Sequence, residues 1–230
     1  MTGESRATNI LAVDTATEAC SVALSSRAKI YQRFAVAPRR HHSLIFEMCQ
    51  AVLNDANINI AELDGLVYGR GPGSFTGVRI AASLVQGLAY VHAIPVVAVS
   101  DLQAVALQAV EQSDETQVLV AMDARMREIY YGYYQKDGDL VKAIGDEGVV
   151  AADKLIVPIT FNGIGAGTAW PLYQTELKKV FAERLKKWYA PTLPTAATLL
   201  RLAMPQFAAN ATLSATDALP VYLRHPVSES

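Results

Sequence analysis

The stretch YGRGPGSFTGVR, residues 68–79, combines four glycines and a proline directly before a long apolar segment. A glycine loop between a strand and a helix often binds anions, because backbone N–H groups and the helix N-terminus point to the same place. No Gly-Lys-Ser/Thr sequence follows, and the Gly-Pro-Gly run is not the dinucleotide fingerprint. Two interpretations stay open: a nucleotide site that uses Gly71 and Gly73, or a turn in which Ser74 or Thr76 caps the following helix.

Two further segments could contribute to a nucleotide site. Asp14 and Thr15 lie at a polar turn between apolar runs, where a carboxylate either faces a phosphate through a metal ion or water, or closes an Asx turn. The segment FNGIGAG repeats the strand-to-glycine pattern and places Gly163 and Gly165 in a loop where a base or ribose could lie, although such glycines often only form turns. ATP or ADP with magnesium is therefore a candidate ligand, and no cofactor is required.

Other chemistry finds little support in the residue pattern. The four histidines form no HxxxH or HxxE pair, and the GxSxG nucleophile motif is absent. A phosphohydrolase built on Asp14 and the glycine loops is the enzymatic alternative. Cys20 and Cys49 lie in apolar segments without CxxC spacing, so we expect buried thiols in a reducing compartment and no structural zinc.

Composition bounds the class of protein. The 230 residues are 51% hydrophobic. The chain has 20 Lys and Arg residues and 22 Asp and Glu residues, which gives a net charge of −2. A chain without an overall positive electrostatic field is not expected to bind nucleic acid by itself. If RNA is involved, a partner protein would bind most of it. The apolar stretches are too short to span a membrane, and the first residues lack the apolar core of a signal peptide. We therefore expect a cytoplasmic protein.

The order of elements predicts an α/β fold with two related lobes. Three strands, a helix, a strand, the glycine loop with its helix, another strand and another helix precede a polar break near residue 112, after which strands begin again. We expect lobes at 1–112 and 113–230, with a tail that could pack back on the first lobe. In the second, residues 170–189 read as mostly helical and 195–210 as a helix, before an extended tail.

Two of the predicted helices have unusual surfaces. In the first, Phe46 lies on a face that is otherwise polar. In the helix after the glycine loop, only Arg79, Ser83 and Gln86 interrupt an apolar surface. Such a helix lies either in a core or against a partner.

Four segments carry a family resemblance: ILAVDTATEACSVAL, YGRGPGSFTGVRIAASLVQGLA, AMDARMREIYYGYY and PVYLR. Together they resemble the bacterial TsaB (YeaZ) family, which serves the threonylcarbamoyladenosine modification of tRNAs reading codons that begin with A. The resemblance implies the two-lobed fold shared by actin, Hsp70 and the acetate and sugar kinases, with two tandem mixed sheets and flanking helices. The family's older glycoprotease label adds a peptidase as an alternative function.

The resemblance also implies a role without catalysis. In the catalytic paralogue TsaD, the helix after the corresponding strand carries two metal-binding histidines, whereas the matching positions here are Asp101 and Val105. Valine cannot coordinate a metal, so we expect no metal site and no transferase activity from this chain alone.

The family implies a set of partners. They are TsaD in a heterodimer, TsaE in the assembled complex, TsaC as the source of the threonylcarbamoyl donor, and a homodimer when TsaD is absent, with tRNA bound through the complex. The implied contact lies on helices at about 41–55 and 76–91. Its residues are His42, Phe46, Gln50, Arg79, Ala82, Ser83, Gln86 and Gly87.

Overall fold

A computed structural model of the chain describes residues 8–190 and 192–224, so the end of the expected tail, including His225, lies outside the described residues. The strands are β1 (Ile10–Asp14), β2 (Ala19–Ser26), β3 (Lys29–Val36), β4 (Gly65–Gly69), β5 (Val96–Val99), β6 (Gln117–Asp123), β7 (Glu128–Asp137), β8 (Leu140–Ala143), β9 (Gly148–Ala151), β10 (Gly163–Ala166) and β11 (Leu185–Tyr189). The helices are α1 (His41–Ala56), α2 (Phe75–His92), α3 (Asp101–Glu111), α4 (Ala169–Leu172), α5 (Gln174–Phe181) and α6 (Ala196–Ala208). The strands and helices expected before residue 112 are confirmed.

The described residues form two compact units. Unit 1 contains residues 8–70, 74–99 and 195–220, and unit 2 contains residues 71–73, 100–190, 192–194 and 221–224. The expected class, an α/β fold of two mixed sheets with flanking helices, is confirmed.

Unit 1 is built on a five-stranded sheet in the order β3-β2-β1-β4-β5. β1, β2 and β3 form an antiparallel meander, whereas β1, β4 and β5 run parallel. Because side chains alternate along a strand, Leu11 and Val13 face α1 and α2, whereas Ile10 and Ala12 face α6. Both faces of β1 and β4 are therefore buried, which explains why these strands are apolar throughout.

Unit 2 repeats the connectivity of unit 1. Its sheet has the order β11-β10-β6-β7-β8, and β9 pairs with β7 beside β8. β6, β7 and β8 form the antiparallel meander, and β6, β10 and β11 are parallel. α3 covers one face, and the other face carries an aromatic core that contains Phe161, Trp170 and Phe181.

The units do not divide at the expected boundary near residue 112. The chain enters unit 2 at Ser100, so α3 packs on β6, β7 and β8 although it directly follows a strand of unit 1. It returns at Thr195, so α6 packs on the sheet of unit 1. A helical period shows that a face of α3 is buried, but it does not show which sheet covers that face.

The helical expectation for residues 170–189 is wrong in its second half. The helix ends at Phe181, and after a single 3-10 turn the chain becomes β11, which pairs in parallel with β10. β8 and β9 are also absent from the sequence expectation. Pairing with a neighbouring strand stabilises these short segments. Their local β-propensity alone does not predict this pairing.

We predict that both cysteine thiols are unreactive in the folded chain. Cys20 and Cys49 are 0% and 8% exposed. Burial raises the pKa of each thiol to about 12, with a further contribution from the Asp14 carboxylate at Cys20. Because the thiolate is the nucleophile, maleimide at pH 8 should label neither residue in native protein and both in denaturant. Mass spectrometry measures the labelling, and rapid native labelling would contradict this burial.

Candidate functional site: the glycine loop and the outer helix surface

The first half of the glycine loop is bonded to the start of α3. The Gly71 N–H donates to Asp101 Oδ2 at 2.6 Å, and the Asp101 N–H donates to the Gly71 carbonyl at 3.1 Å. Gly71 has a φ of 98°, a conformation that favours glycine. Its amide is thus paired with a carboxylate of the same chain, which would also repel a phosphate.

The second half of the loop lies against the turn between β1 and β2. The Ser74 N–H donates to the Ala16 carbonyl at 2.7 Å, and Thr15 Oγ1 donates to the Gly77 carbonyl at 2.7 Å. A Cβ on Gly77 would lie 2.0 Å from the Thr15 carbonyl oxygen, so only glycine permits this approach. Ser74 Oγ accepts the Gly77 N–H at 3.4 Å, which makes Ser74 the cap of α2 rather than Thr76.

Asp14 closes an Asx turn. Its side chain is fully buried, and Oδ1 accepts the Ala16 N–H at 2.7 Å. The corresponding hairpin of unit 2 uses the same device, since Asp123 Oδ1 accepts the Arg125 N–H at 3.0 Å. A nucleotide role for Asp14 and Thr15 stays a prediction.

The expectation of a glycine loop at Gly163 and Gly165 is wrong. Both residues lie inside β10, whose four residues are buried. A Cβ on Gly163 would lie 2.1 Å from the Gln117 carbonyl oxygen, and one on Gly165 would lie 2.2 Å from the Trp170 ring. The Trp170 Nε1–H donates to the Ala166 carbonyl at 2.9 Å. The space over Gly165 where a base would lie is filled by this indole.

The outer face of α1 presents a short polar and aromatic stripe. His42, Phe46 and Gln50 are four residues apart and exposed, and Phe46 retains 53% of its accessible surface. The His42 and Phe46 rings meet edge to face, with centroids 6.1 Å apart. The residues of α1 that sequence reasoning selected therefore share one exposed face.

The outer face of α2 is larger and more aromatic. Arg79, Ser83 and Gly87 are exposed as expected, and Gln86 is half-buried. Phe75 and Tyr90, which sequence reasoning missed, are 60% and 80% exposed at the two ends of the same stripe. The Arg79 guanidinium lies 3.5 Å from the centroid of the Phe75 ring. The helical spacing of 75, 79, 83, 87 and 90 was the available signal.

Ala82 does not belong to this surface. Its exposed fraction is 2%, and it packs in the core of unit 1 between α2 and the sheet. Ala82 precedes the exposed Ser83 by one residue, and successive residues of a helix lie 100° apart. The sequence alone did not separate the buried Ala82 from the exposed Gly87 of the same helix. We therefore remove Ala82 from the candidate interface.

Asp101 and Val105, the positions that the family resemblance matched to metal-binding histidines, serve the structure of α3. The Asp101 carboxylate accepts the Gly71 N–H, and Val105 is fully buried. Among residues 8–190 and 192–224, no group of three or more His, Cys, Asp or Glu side chains could hold a metal ion. Within the same ranges, each helix is too short or too polar to serve as a membrane span.

The fold and the site together define an α/β protein of two mixed sheets whose glycine loop sets the direction of an exposed, aromatic helix. The family model described as "TsaD: tRNA N6-adenosine threonylcarbamoyltransferase" matches residues 25–221. The tRNA threonylcarbamoyladenosine biosynthesis protein TsaB of Escherichia coli K12 is 37% identical over 95% of this chain and 96% of its own length. TsaB of Haemophilus influenzae is 35% identical over 95% and 94%.

A solved structure agrees with these relatives. YeaZ from Pseudomonas aeruginosa is 39% identical and superimposes with a TM-score of 0.87, covering 94% of this chain and 100% of that one. The chain belongs to the TsaB (YeaZ) family.

Two glycines of α2 provide a matched test of this geometry. Gly77→Ala should lower the free energy of unfolding by about 3 kcal/mol or more, because the new methyl group meets backbone. Gly87→Ala should raise it by about 1 kcal/mol, because nothing lies within 4 Å of the added Cβ and alanine favours the helix. Urea unfolding measures both; equal effects would contradict the contact at Gly77.

Proposed function

We propose that the chain acts in tRNA threonylcarbamoyladenosine biosynthesis as a non-catalytic partner that activates a TsaD-type transferase. The observation that carries this proposal is the exposed stripe on α2, with the exposed face of α1 as a second element of the same unit. Family membership supports the pathway, because the TsaB relatives carry it in their names.

The residue types on this surface support a protein interface. Phe46, Phe75 and Tyr90 each leave more than half of their surface in water. Aromatic residues and arginine are enriched in the centres of protein interfaces, where they supply most of the binding energy. Arg79 is already held over the Phe75 ring, so less side-chain entropy is lost when a partner covers the pair.

Gly87 supports close approach of a partner helix. It lies in the exposed stripe, and apart from its chain neighbours and the backbone of its own helix, no atom lies within 4 Å of its Cβ position. A glycine at an exposed helical position costs stability relative to alanine, so the structure of the isolated chain does not explain it. A second helix that packs across α2 at this position would use the missing side chain.

The absence of catalysis is inferred from the α3 positions. Two imidazoles one helical turn apart would be needed to hold the catalytic metal, and this chain has Asp101 and the buried Val105 there. The partner would therefore supply the transfer chemistry. We further propose that TsaE joins the assembled complex, that TsaC supplies the donor, and that the same surface forms a homodimer when TsaD is absent.

Gly87→Arg should weaken binding to TsaD by about 100-fold or more while the isolated chain stays folded. The Cβ position at Gly87 is open and the residue is exposed, so the long charged side chain can extend into the space that the partner helix needs. Calorimetry with purified TsaD measures the affinity, and threonylcarbamoyl transfer to tRNA measures the activation, which should fall in parallel.

Gly87→Ala is the graded variant: its single methyl group should weaken TsaD binding by about tenfold at most, between the unaltered chain and Gly87→Arg. Ala82→Arg is unsuitable as an interface probe, because the buried charge should cost about 4 kcal/mol or more of folding stability. If Gly87→Arg binds TsaD as tightly as the unaltered chain, the partner surface is misassigned. If TsaD reaches full activity without this chain, the proposed function is wrong.

A further inference from the structure

The turn between β6 and β7 has an unusual backbone. Arg125, Met126 and Arg127 have φ values of 63°, 55° and 63°, so three consecutive non-glycine residues adopt the left-handed conformation. Each such residue is disfavoured by contact between Cβ and its own carbonyl, and residues other than glycine, Asn and Asp rarely visit this region. Strain of this kind persists only where the surroundings hold it, and it is concentrated at functional sites.

Three groups hold the turn in this conformation. Asp123 accepts the Arg125 N–H, and the Ala124 N–H donates to the Glu128 carbonyl at 3.0 Å. The Arg224 guanidinium donates to the Ala124 carbonyl at 3.0 Å and pairs with the Glu128 carboxylate. Arg224 ends the PVYLR segment and the turn lies in AMDARMREIYYGYY. These two signature segments therefore form one structural feature within unit 2.

The turn displays its three side chains to solvent. The side chains of Arg125 and Arg127 are 86% and 87% exposed, and Met126 is 81% exposed. Arg125 lies 3.2 Å from the Asp123 carboxylate and Arg127 lies 3.9 Å from that of Glu176. Ion pairs this exposed contribute little stability, so most donors of both guanidinium groups stay available to a ligand.

We propose that this turn is an RNA-contact element, in which Arg125 and Arg127 bind phosphates and Met126 packs on a base or ribose between them. The proposal rests on the proposed role in tRNA modification. Guanidinium groups match phosphate oxygens in a bidentate manner, and an exposed thioether packs favourably on an aromatic ring. In a chain of net charge −2, two arginines do not collect RNA, but they position an RNA that a partner also holds.

The test uses the complex assembled with TsaD and TsaE and an in vitro transcript of a tRNA that reads codons beginning with A. Arg125→Ala combined with Arg127→Ala should weaken tRNA binding by about tenfold at physiological salt. The plot of log affinity against log salt concentration should become less steep, with a slope that is less negative by about 1.5. This change corresponds to two lost phosphate contacts. Lys136→Ala with Lys142→Ala is the matched control, because it removes two exposed charges at the other end of β7 and should leave both values unchanged.

Glycine substitutions separate binding from structure. Arg125→Gly and Arg127→Gly relieve the left-handed strain, so each should raise the melting temperature by about 2–4 °C. Both should still weaken tRNA binding if the side chains contact RNA. Higher stability with unchanged tRNA affinity would show a purely structural turn and overturn the proposal.

The failures of the two proposals are distinguishable. If the double alanine variant assembles normally and binds tRNA like the unaltered complex, the RNA contact is wrong and the partner role stands. If that variant instead loses assembly with TsaD, the turn contacts protein and the RNA assignment is again overturned. A complex in which this chain never raises transferase activity contradicts the partner role itself.

Discussion

The contact between the backbones of Gly77 and Thr15 fixes the geometry on which the candidate surface depends. The first turn of α2 lies so close to the β1–β2 turn that no side chain fits at Gly77. Two hydrogen bonds hold the same place, from Thr15 Oγ1 to the Gly77 carbonyl and from the Ser74 N–H to the Ala16 carbonyl. Because one end of α2 is fixed against the sheet, its direction and its outward face are fixed along its whole length.

The two hairpin turns contain the same local structure, an Asx turn, but differ in their exposure. Asp14 and Asp123 both accept the amide two residues on. In unit 1, Asp14, Thr15 and Ala16 of this turn are buried, and the turn is bonded to the start of α2. In unit 2 the corresponding turn is exposed, and Arg224 holds three strained residues whose side chains point into solvent. The fold is repeated, but exposure makes the second turn available to a ligand.

The glycines of this chain also serve different purposes. Gly71 supplies a backbone conformation, Gly77 a close backbone contact, and Gly165 a place for the Trp170 ring. Gly87, in contrast to Gly77 and Gly165, has open space at its Cβ position. The glycine-rich sequences first suggested a nucleotide site, whereas most of their geometry is explained by packing within the units.

The sequence by itself determined the local elements and the family. Apolar periodicity, the strand before the glycine loop and the Gly-Pro-Gly-Ser-Phe-Thr-Gly motif located β4, α2 and their neighbours, because these signals act over a few residues. Only the tertiary structure decided that α3 packs on the second sheet, that residues 185–189 form a strand, and that Ala82 is buried while Gly87 is exposed. It also brought Arg224 to the turn about 100 residues earlier. Each of these features depends on which segment from elsewhere in the chain packs against the residues concerned. Local secondary-structure propensity does not contain that information.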